Sequence, residues 1–150
     1  MDLNILQLLP TTRPQYSGEA AASLTTRPVT CSGMRALMQI VYITLMRVAG
    51  RDAFAPWYGA GLSLLVDGGV TTATKRDIEV RVSLITANAE TQILEEQAKH
   101  AKISPDERLQ YLKFIGLVPS ATDPTLYVII MEMASQAGVT QNIDLPIAPK

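Results

Sequence analysis

The chain has 150 residues, of which 47% are hydrophobic and 18% are charged, so it is long enough to form one domain without a disulfide or a metal. Its 13 basic and 14 acidic residues give a net charge of −1, which offers no electrostatic basis for binding nucleic acid or an anionic membrane surface. One cysteine (Cys31) and one histidine (His100) form neither an internal disulfide nor a Cys/His zinc cluster. We therefore expect a soluble protein without cofactors.

Residues 1–30 are predicted to form an extended N-terminal arm. Pro10, Pro14 and Pro28 interrupt this segment, and each biases the residue before it toward extended backbone. The apolar run before Pro10 is too short, and lacks the basic start, for a secretory signal. Two interpretations remain open: a disordered leader, or an arm that docks on another subunit. The apolar residues that would dock are Leu3, Ile5, Leu6, Leu8 and Leu9.

A first long helix is predicted from Ser32 to Ala49. Apolar residues recur there at three- and four-residue spacing, which is typical of a buried helix face. They are Met34, Leu37, Met38, Val41, Leu45 and Val48. Thr30 or Ser32 is a suitable N-cap, and Gly50 stands where a helix-ending glycine is expected.

The segment Gly50–Leu62, GRDAFAPWYGAGL, is the most unusual part of the chain. It combines three glycines and a proline with the aromatic residues Phe54, Trp57 and Tyr58. Aromatic residues in such a turn-forming segment indicate a loop that folds back onto the core or faces a partner.

A second long helix is predicted from about Thr72 to Lys102, after a turn at Asp67–Gly69. Its apolar face includes Ile78, Val82, Ile85, Ala89 and Ile93, and Ser104–Pro105 ends it. Asn88 is a position where this helix is expected to weaken or bend. About thirty residues is long for a helix in a compact domain.

Three strands are predicted at 108–118, 126–134 and 139–147, separated by turn residues, as in an antiparallel meander. The middle strand is apolar at consecutive positions, so it is either central and covered on both faces or awaiting a partner. Pro146 and Pro149 are typical of an edge strand. We predict an α+β fold with two long helices packed on a small three-stranded antiparallel sheet, comprising an arm (1–30) and a single domain (31–150).

Catalytic motifs are not evident in the sequence. No GxSxG, Walker A or GxGxxG pattern occurs, and a Cys31–His100 pair is left open by the sequence alone. Glu95 and Glu96 are adjacent on a helix and point in different directions, and Glu107 beside Arg108 is typical of a structural ion pair. We therefore predict a protein that is not an enzyme, with a small cell-wall glycan hydrolase as the alternative.

The order of these elements resembles the gene 25-like baseplate wedge family, the sheath initiators of contractile-tailed bacteriophages and related injection systems. In that family a helix is followed by a Gly-Glu-Arg-like turn, a Pro-x-Phe/Tyr-Gly-x-x-Leu segment and a Glu-Pro-Arg motif at the first strand. The matching residues here are Gly50, Arg51, Pro56, Tyr58, Gly59 and Leu62, followed by Glu107, Arg108 and Leu109. The last motif departs from the family, since no proline separates Glu107 from Arg108. A rival placement of that motif at Glu90-Thr91-Gln92 preserves only the acid.

The resemblance implies a structural protein of the virion tail baseplate, assembled in the host cytoplasm as several copies in a sixfold arrangement. Its implied partners are other baseplate wedge proteins, the tail-sheath protein and tail tube or hub proteins, with neither nucleic acid nor membrane. Its sheet would start sheath assembly by pairing with strands of the first sheath ring. The candidate interface residues are Leu3, Ile5 and Leu6 in the arm and Val139, Gln141 and Ile143 in the last strand.

Within this family frame, the Gly50–Leu62 segment is expected to brace the first helix against the sheet. Phe54 or Trp57 would be buried, and Arg51 would pair with Glu107. The second helix is longer than the family needs, which suggests an extension between residues 88 and 102.

Overall fold

The computed structural model describes residues 2–3, 30–66, 75–121 and 126–147. In chain order its elements are β1 (Asp2–Leu3), β2 (Thr30–Cys31), α1 (Met34–Met46), α2 (Ser63–Val66), α3 (Lys75–Ala98), β3 (Leu109–Pro119), β4 (Tyr127–Ser135) and β5 (Thr140–Ile147). The α+β class and the three-stranded antiparallel sheet are therefore confirmed. None of the helices in these ranges is long and apolar enough to span a membrane.

The prediction of two long helices is wrong, because only α3, with 24 residues, is long. Helix α1 has 13 residues and ends at Met46, three residues before the predicted end. Arg47 adopts an extended conformation (φ −67°, ψ 138°) and its N–H donates to the Ile43 carbonyl. The chain then turns back, so the apolar period that continues to Val48 no longer describes a helix. Helix α3 runs through Asn88 without interruption.

The sheet has the order β3-β4-β5, with antiparallel pairing throughout. Each strand begins one residue later than predicted, because the turns fall where the sequence places them. Register shifts occur in β3 between Leu109 and Tyr111 and between Phe114 and Gly116. The central strand, β4, is joined to β5 by a short hairpin in which Gly138 adopts a positive φ of 83°.

One face of the sheet packs against the helices and forms the core. The central residues of that face, Ile129, Met131 and Met133, are fully buried in β4. The buried face of α3 consists of Ile78, Val82, Thr86, Ala89, Ile93 and Gln97. On the other face of β4, Val128 and Ile130 are only half-buried. The middle strand is therefore central, but a single face is covered within the described part of the chain.

The start of the chain pairs with the segment that precedes α1. Strand β1 is antiparallel to β2, with Asp2 opposite Cys31 and Leu3 opposite Thr30. Of the predicted docking residues in the arm, Leu3 lies in β1, whereas Ile5, Leu6, Leu8 and Leu9 lie outside the described residues.

Candidate functional site

The Gly50–Leu62 segment returns along the end of α1 and bonds to its terminal carbonyls. The N–H groups of Ala60, Gly61 and Leu62 donate to the carbonyls of Thr44, Arg47 and Leu45 at 2.9, 2.9 and 2.8 Å. Helix ends leave their last carbonyls without intrahelical partners, so a returning backbone is an effective cap. The segment is therefore built into the end of α1.

Gly59 is the closest point of approach between this segment and α1. Its φ is +132°, and a Cβ atom at this position would lie 2.5 Å from the Arg47 carbonyl oxygen. Only glycine fits such an approach. This explains the glycine of the Pro-x-Tyr-Gly pattern in terms of packing.

Helix α3 holds the same glycine from the other side. The Gly59 N–H donates to Gln92 Oε1 at 2.8 Å, and Gln92 Nε2 lies 3.4 Å from the Gly59 carbonyl oxygen. The segment thus joins α1 to α3, whereas the family resemblance predicts a brace between the first helix and the sheet.

Tyr58 strengthens the contact with α1 through its hydroxyl group. Tyr58 OH lies 2.6 Å from Thr44 Oγ1, and Thr44 in turn donates to the Ile40 carbonyl, so the tyrosine is the donor. The Arg47 guanidinium lies 5.7 Å from the centre of the Tyr58 ring and forms an ion pair with Asp52 at 3.0 Å. Arg47 therefore ties the loop to the helix end on its exposed side.

The tip of the loop is exposed, so the prediction that Phe54 or Trp57 is buried is wrong. Phe54 is 94% exposed and Trp57 is 69% exposed. The tip is nevertheless ordered by its own bonds: the Gly50 N–H donates to the Pro56 carbonyl at 2.7 Å, and the Phe54 N–H donates to Asp52 Oδ1 at 2.9 Å. Of the three aromatic residues, Tyr58 makes the inward contact, whereas Phe54 and Trp57 face outward.

A second junction joins the start of α1, the end of α3 and the start of β3. Glu107 Oε1 accepts from the Gly33 N–H at 2.9 Å, directly before α1. Gln97 Nε2 donates to the Glu107 carbonyl at 2.9 Å, and Gln97 Oε1 accepts from the Leu109 N–H at 2.8 Å. Arg108 Nη2 donates to the His100 carbonyl at 3.2 Å. The Glu107–Leu109 motif is thus a structural joint between three elements.

The predicted pairing of Arg51 with Glu107 is wrong. Glu107 is bonded to Gly33, Arg51 is exposed, and no ion pair joins the two in the described ranges. The motif residues separate into two groups, one at the end of α1 (Gly50–Leu62) and one at its start (Glu107–Leu109).

The described carboxylates serve as backbone acceptors or surface partners. Glu90 Oε1 accepts from the Leu112 N–H at 3.2 Å, in the same manner as Glu107 with Gly33. The pKa of Glu96 is lowered because Lys99 donates a hydrogen bond to it. Within residues 2–3, 30–66, 75–121 and 126–147, no three His, Cys, Asp or Glu side chains are grouped as for a metal ion.

A groove of about 330 Å³ lies between α1 and α3, with Ile40, Ile43 and Ile93 among its lining residues. Glu96 and His100 also line it, with His100 Nε2 3.7 Å from Glu96 Oε1. The amide of Gln97, which also lines the groove, is bonded at one end to the Glu107 carbonyl and at the other to the Leu109 N–H of β3. Its wall is chiefly apolar, so this groove resembles a packing gap more than a reactive site.

The two edges of the sheet differ. On the β3 edge, the outward N–H groups of Leu109 and Leu112 donate to Gln97 and Glu90 of α3, and Pro119 at the other end has no N–H. On the β5 edge, the Ser135 N–H donates to the Val139 carbonyl, which sets the alternation of the β4–β5 ladder. It follows that Thr140, Asn142 and Asp144 direct their backbone N–H and C=O groups away from β4.

The candidate interface residues of β5 and its approach differ in exposure, although Gln141 and Ile143 lie on the same face of the strand. Val139 is 47% exposed and Gln141 is exposed, whereas Ile143 is buried opposite Met131. The Ile143 side chain therefore belongs to the core, and an interface at this strand would use its backbone edge.

Sequence reasoning assigned no structural role to four residues that hold these elements together, which are Gly33, Glu90, Gln92 and Gln97. Gln97 carried a signal, because it continues the apolar face of α3 at a position where a polar residue must find a buried partner. No family model matches this chain, and a search of curated proteins finds no significant match.

Proposed function

We propose that this protein is a structural component of a contractile-tail baseplate wedge that initiates tail-sheath assembly. The proposal rests on the resemblance of Gly50–Leu62 and Glu107–Leu109 to the gene 25-like family. Its action is strand addition, in which a strand of the first sheath ring pairs with the sheet through main-chain hydrogen bonds. Its partners are the sheath protein, other wedge proteins and tube or hub proteins, and it works in the virion without catalysis.

The observation that best supports strand addition is the outer edge of β5, which pairs with no other strand among the described residues. Thr140, Asn142 and Asp144 offer donors and acceptors at alternate positions, whereas the first half of the β3 edge is occupied by α3. At the far end of β5, Pro146 has no N–H, so pairing would stop before it. An added strand therefore has a defined side and a defined end.

The junction of α1, α3 and β3 supports this role because it holds the sheet in place against the helices. Gln97 joins the start of β3 to α3, and Glu107 joins it to the start of α1. Because β4 pairs with both β3 and β5, these bonds also fix the position of β5 relative to the helices. A template strand must be held in place before its partner arrives, since disorder at the edge would cost conformational entropy on pairing.

The test is a pair of proline substitutions that differ only in the direction of the lost N–H group. Asn142→Pro removes an outward N–H and leaves the β4–β5 ladder intact, so the fold is expected to survive while sheath nucleation is lost. Gln141→Pro removes an inward ladder bond and is expected to destabilise the protein. Nucleation is measured by electron microscopy of sheath protein added to baseplates assembled with each variant, and circular dichroism measures folding.

Normal sheath growth on Asn142→Pro baseplates would contradict strand addition at β5. Incorporation into the baseplate is scored separately, by detecting the protein in purified particles. A folded protein that never enters baseplates would contradict the wedge assignment itself.

A further inference from the structure

Helix α3 carries a second apolar stripe on the side away from the core. Six exposed residues recur along it at alternating spacings of four and three. They are Val80, Leu84, Ala87, Thr91, Leu94 and Ala98, and we call them the outer stripe. With about 3.6 residues per turn, this spacing keeps all six on one narrow strip, roughly opposite the buried face of the helix.

The outer stripe is apolar as well as exposed. Leu84 is 67% exposed, Val80 is 53% exposed and Leu94 is 37% exposed. The one polar member, Thr91, donates its hydroxyl to the Ala87 carbonyl at 3.0 Å, so its hydrogen-bonding need is met within the helix. Single exposed leucines are ordinary, but an unbroken four-three spacing over five turns is the pattern of a helix that packs against another helix.

The charges beside the stripe indicate the orientation of that second helix. Arg81 and Glu95 occupy equivalent flanking positions, each directly after a stripe residue (Val80 and Leu94). Both are exposed, and neither forms an ion pair with another described residue. If two copies of α3 cross antiparallel with Leu84 opposite Leu94 of the other copy, Arg81 of each copy meets Glu95 of the other.

A parallel crossing would instead bring like charges together. Arg76 would face Arg81 of the other copy. Glu90 distinguishes neither crossing, because its carboxylate is bonded to the Leu112 N–H of its own chain at 3.2 Å. The charge pattern therefore favours the antiparallel arrangement.

We propose that the outer stripe is a self-association surface, on which a second copy of this chain docks its own α3 antiparallel about a two-fold axis near residue 89. The contact is isologous, since the same patch serves both copies. Its layers are Val80 with Ala98, Leu84 with Leu94, and Ala87 with Thr91. Because the interface is short, its dissociation constant is expected to be on the order of 100 µM. The proposal does not depend on the baseplate role, because it uses neither β5 nor the two junctions.

The test is sedimentation velocity of the full chain over a concentration series. Charge-reversal variants distinguish the specific dimer from nonspecific association. The wild type is expected to shift from monomer toward dimer as concentration rises. Arg81→Glu and Glu95→Arg are each expected to weaken association about tenfold, because each turns both attractive pairs repulsive. An equimolar mixture of these two variants should dimerise again, since each copy then supplies the charge that the other lacks.

Two further variants control for fold and location. Leu84→Asp places a charge in the stripe at an exposed position, so it should abolish the dimer without changing the circular dichroism spectrum. Lys113→Glu changes an exposed charge on β3 and should leave the dimer unchanged. Orientation is tested by mixing Leu84→Cys with Leu94→Cys protein, which should form a mixed disulfide faster than either alone.

Three outcomes would overturn the proposal. One is a wild type that stays monomeric at millimolar concentration, and another is a dimer that survives Leu84→Asp. The third is a monomer in which a spin label at residue 84 is immobilised, which would show that the same chain covers the stripe.

Discussion

The side-chain oxygen of Gln97 accepts a hydrogen bond from the backbone N–H of Leu109 at 2.8 Å, in a fully buried position. The other end of the same amide donates to the Glu107 carbonyl at 2.9 Å. Through these two bonds, Gln97 satisfies backbone groups of Glu107 and Leu109 that a neighbouring strand would otherwise satisfy. This contact fixes the position of the C-terminal end of α3 relative to the start of β3.

Replacing Gln97 with leucine should therefore destabilise the protein by about 2–4 kcal/mol, because the buried Leu109 N–H and the part-buried Glu107 carbonyl both lose their partner. The free energy of unfolding is measured by urea titration. Gln92→Leu is the matched control on the same helix. It removes two part-buried bonds to the backbone of Gly59 and is expected to cost about 1 kcal/mol. Equal losses at the two positions would contradict the central role given to Gln97.

Gly59 and Gly50 offer a second matched pair, since both have positive φ but only one lacks space. A Cβ at Gly59 would clash with the Arg47 carbonyl, whereas nothing lies within 4 Å of a Cβ at Gly50. Gly59→Ala is expected to cost at least about 3 kcal/mol, and Gly50→Ala about 1 kcal/mol. Thermal unfolding of the two variants measures the difference. A mild effect at Gly59 would mean that the loop can move off the end of α1.

The exposed aromatic residues at the loop tip should contribute little to stability. Phe54→Ala and Trp57→Ala are each expected to change the free energy of unfolding by less than about 0.5 kcal/mol, because these side chains are largely in water. Tyr58→Phe, which removes the bond to Thr44, is expected to cost about 1 kcal/mol. If the tip is a contact of the wedge, the two alanine variants should be folded yet enter baseplates poorly, as scored by particle composition.

Tyr111 should make the stability pH-dependent on the alkaline side. Its hydroxyl donates to Glu132 Oε1 at 2.8 Å across β3 and β4, and this bond raises the pKa of Tyr111 above its ordinary value of 10.0. Because the protonated tyrosine is the form favoured by folding, its contribution is fully present below pH 10 and is lost as the pH rises through the raised pKa. Tyr111→Phe should remove this part of the pH dependence, measured by urea unfolding between about pH 8 and 11. A stability curve unchanged by the substitution would contradict the hydrogen bond.

The strands and the long helix follow from local patterns, which is why the sequence alone locates them well. Each strand lies between turn residues that interrupt it, and the buried face of α3 repeats at the helical period from Ile78 to Ile93. Local periodicity describes which face of an element is apolar. It therefore predicted the α+β class and the three-stranded sheet from the amino acids themselves.

The end of α1, the exposure of the loop tip and the partners of the polar residues were decided by tertiary structure. Val48 continues the apolar period, yet the chain leaves the helix at Arg47 because the returning segment at Ala60–Leu62 supplies the bonds that another helical turn would make. Glu107 could have bonded to Arg51 on charge alone, but it lies beside Gly33 once α1 and β3 are packed. These hydrogen-bond partners depend on which backbone groups, distant in sequence, lie within about 3 Å in the folded chain. The spacing of residues along one helix or strand does not determine that distance.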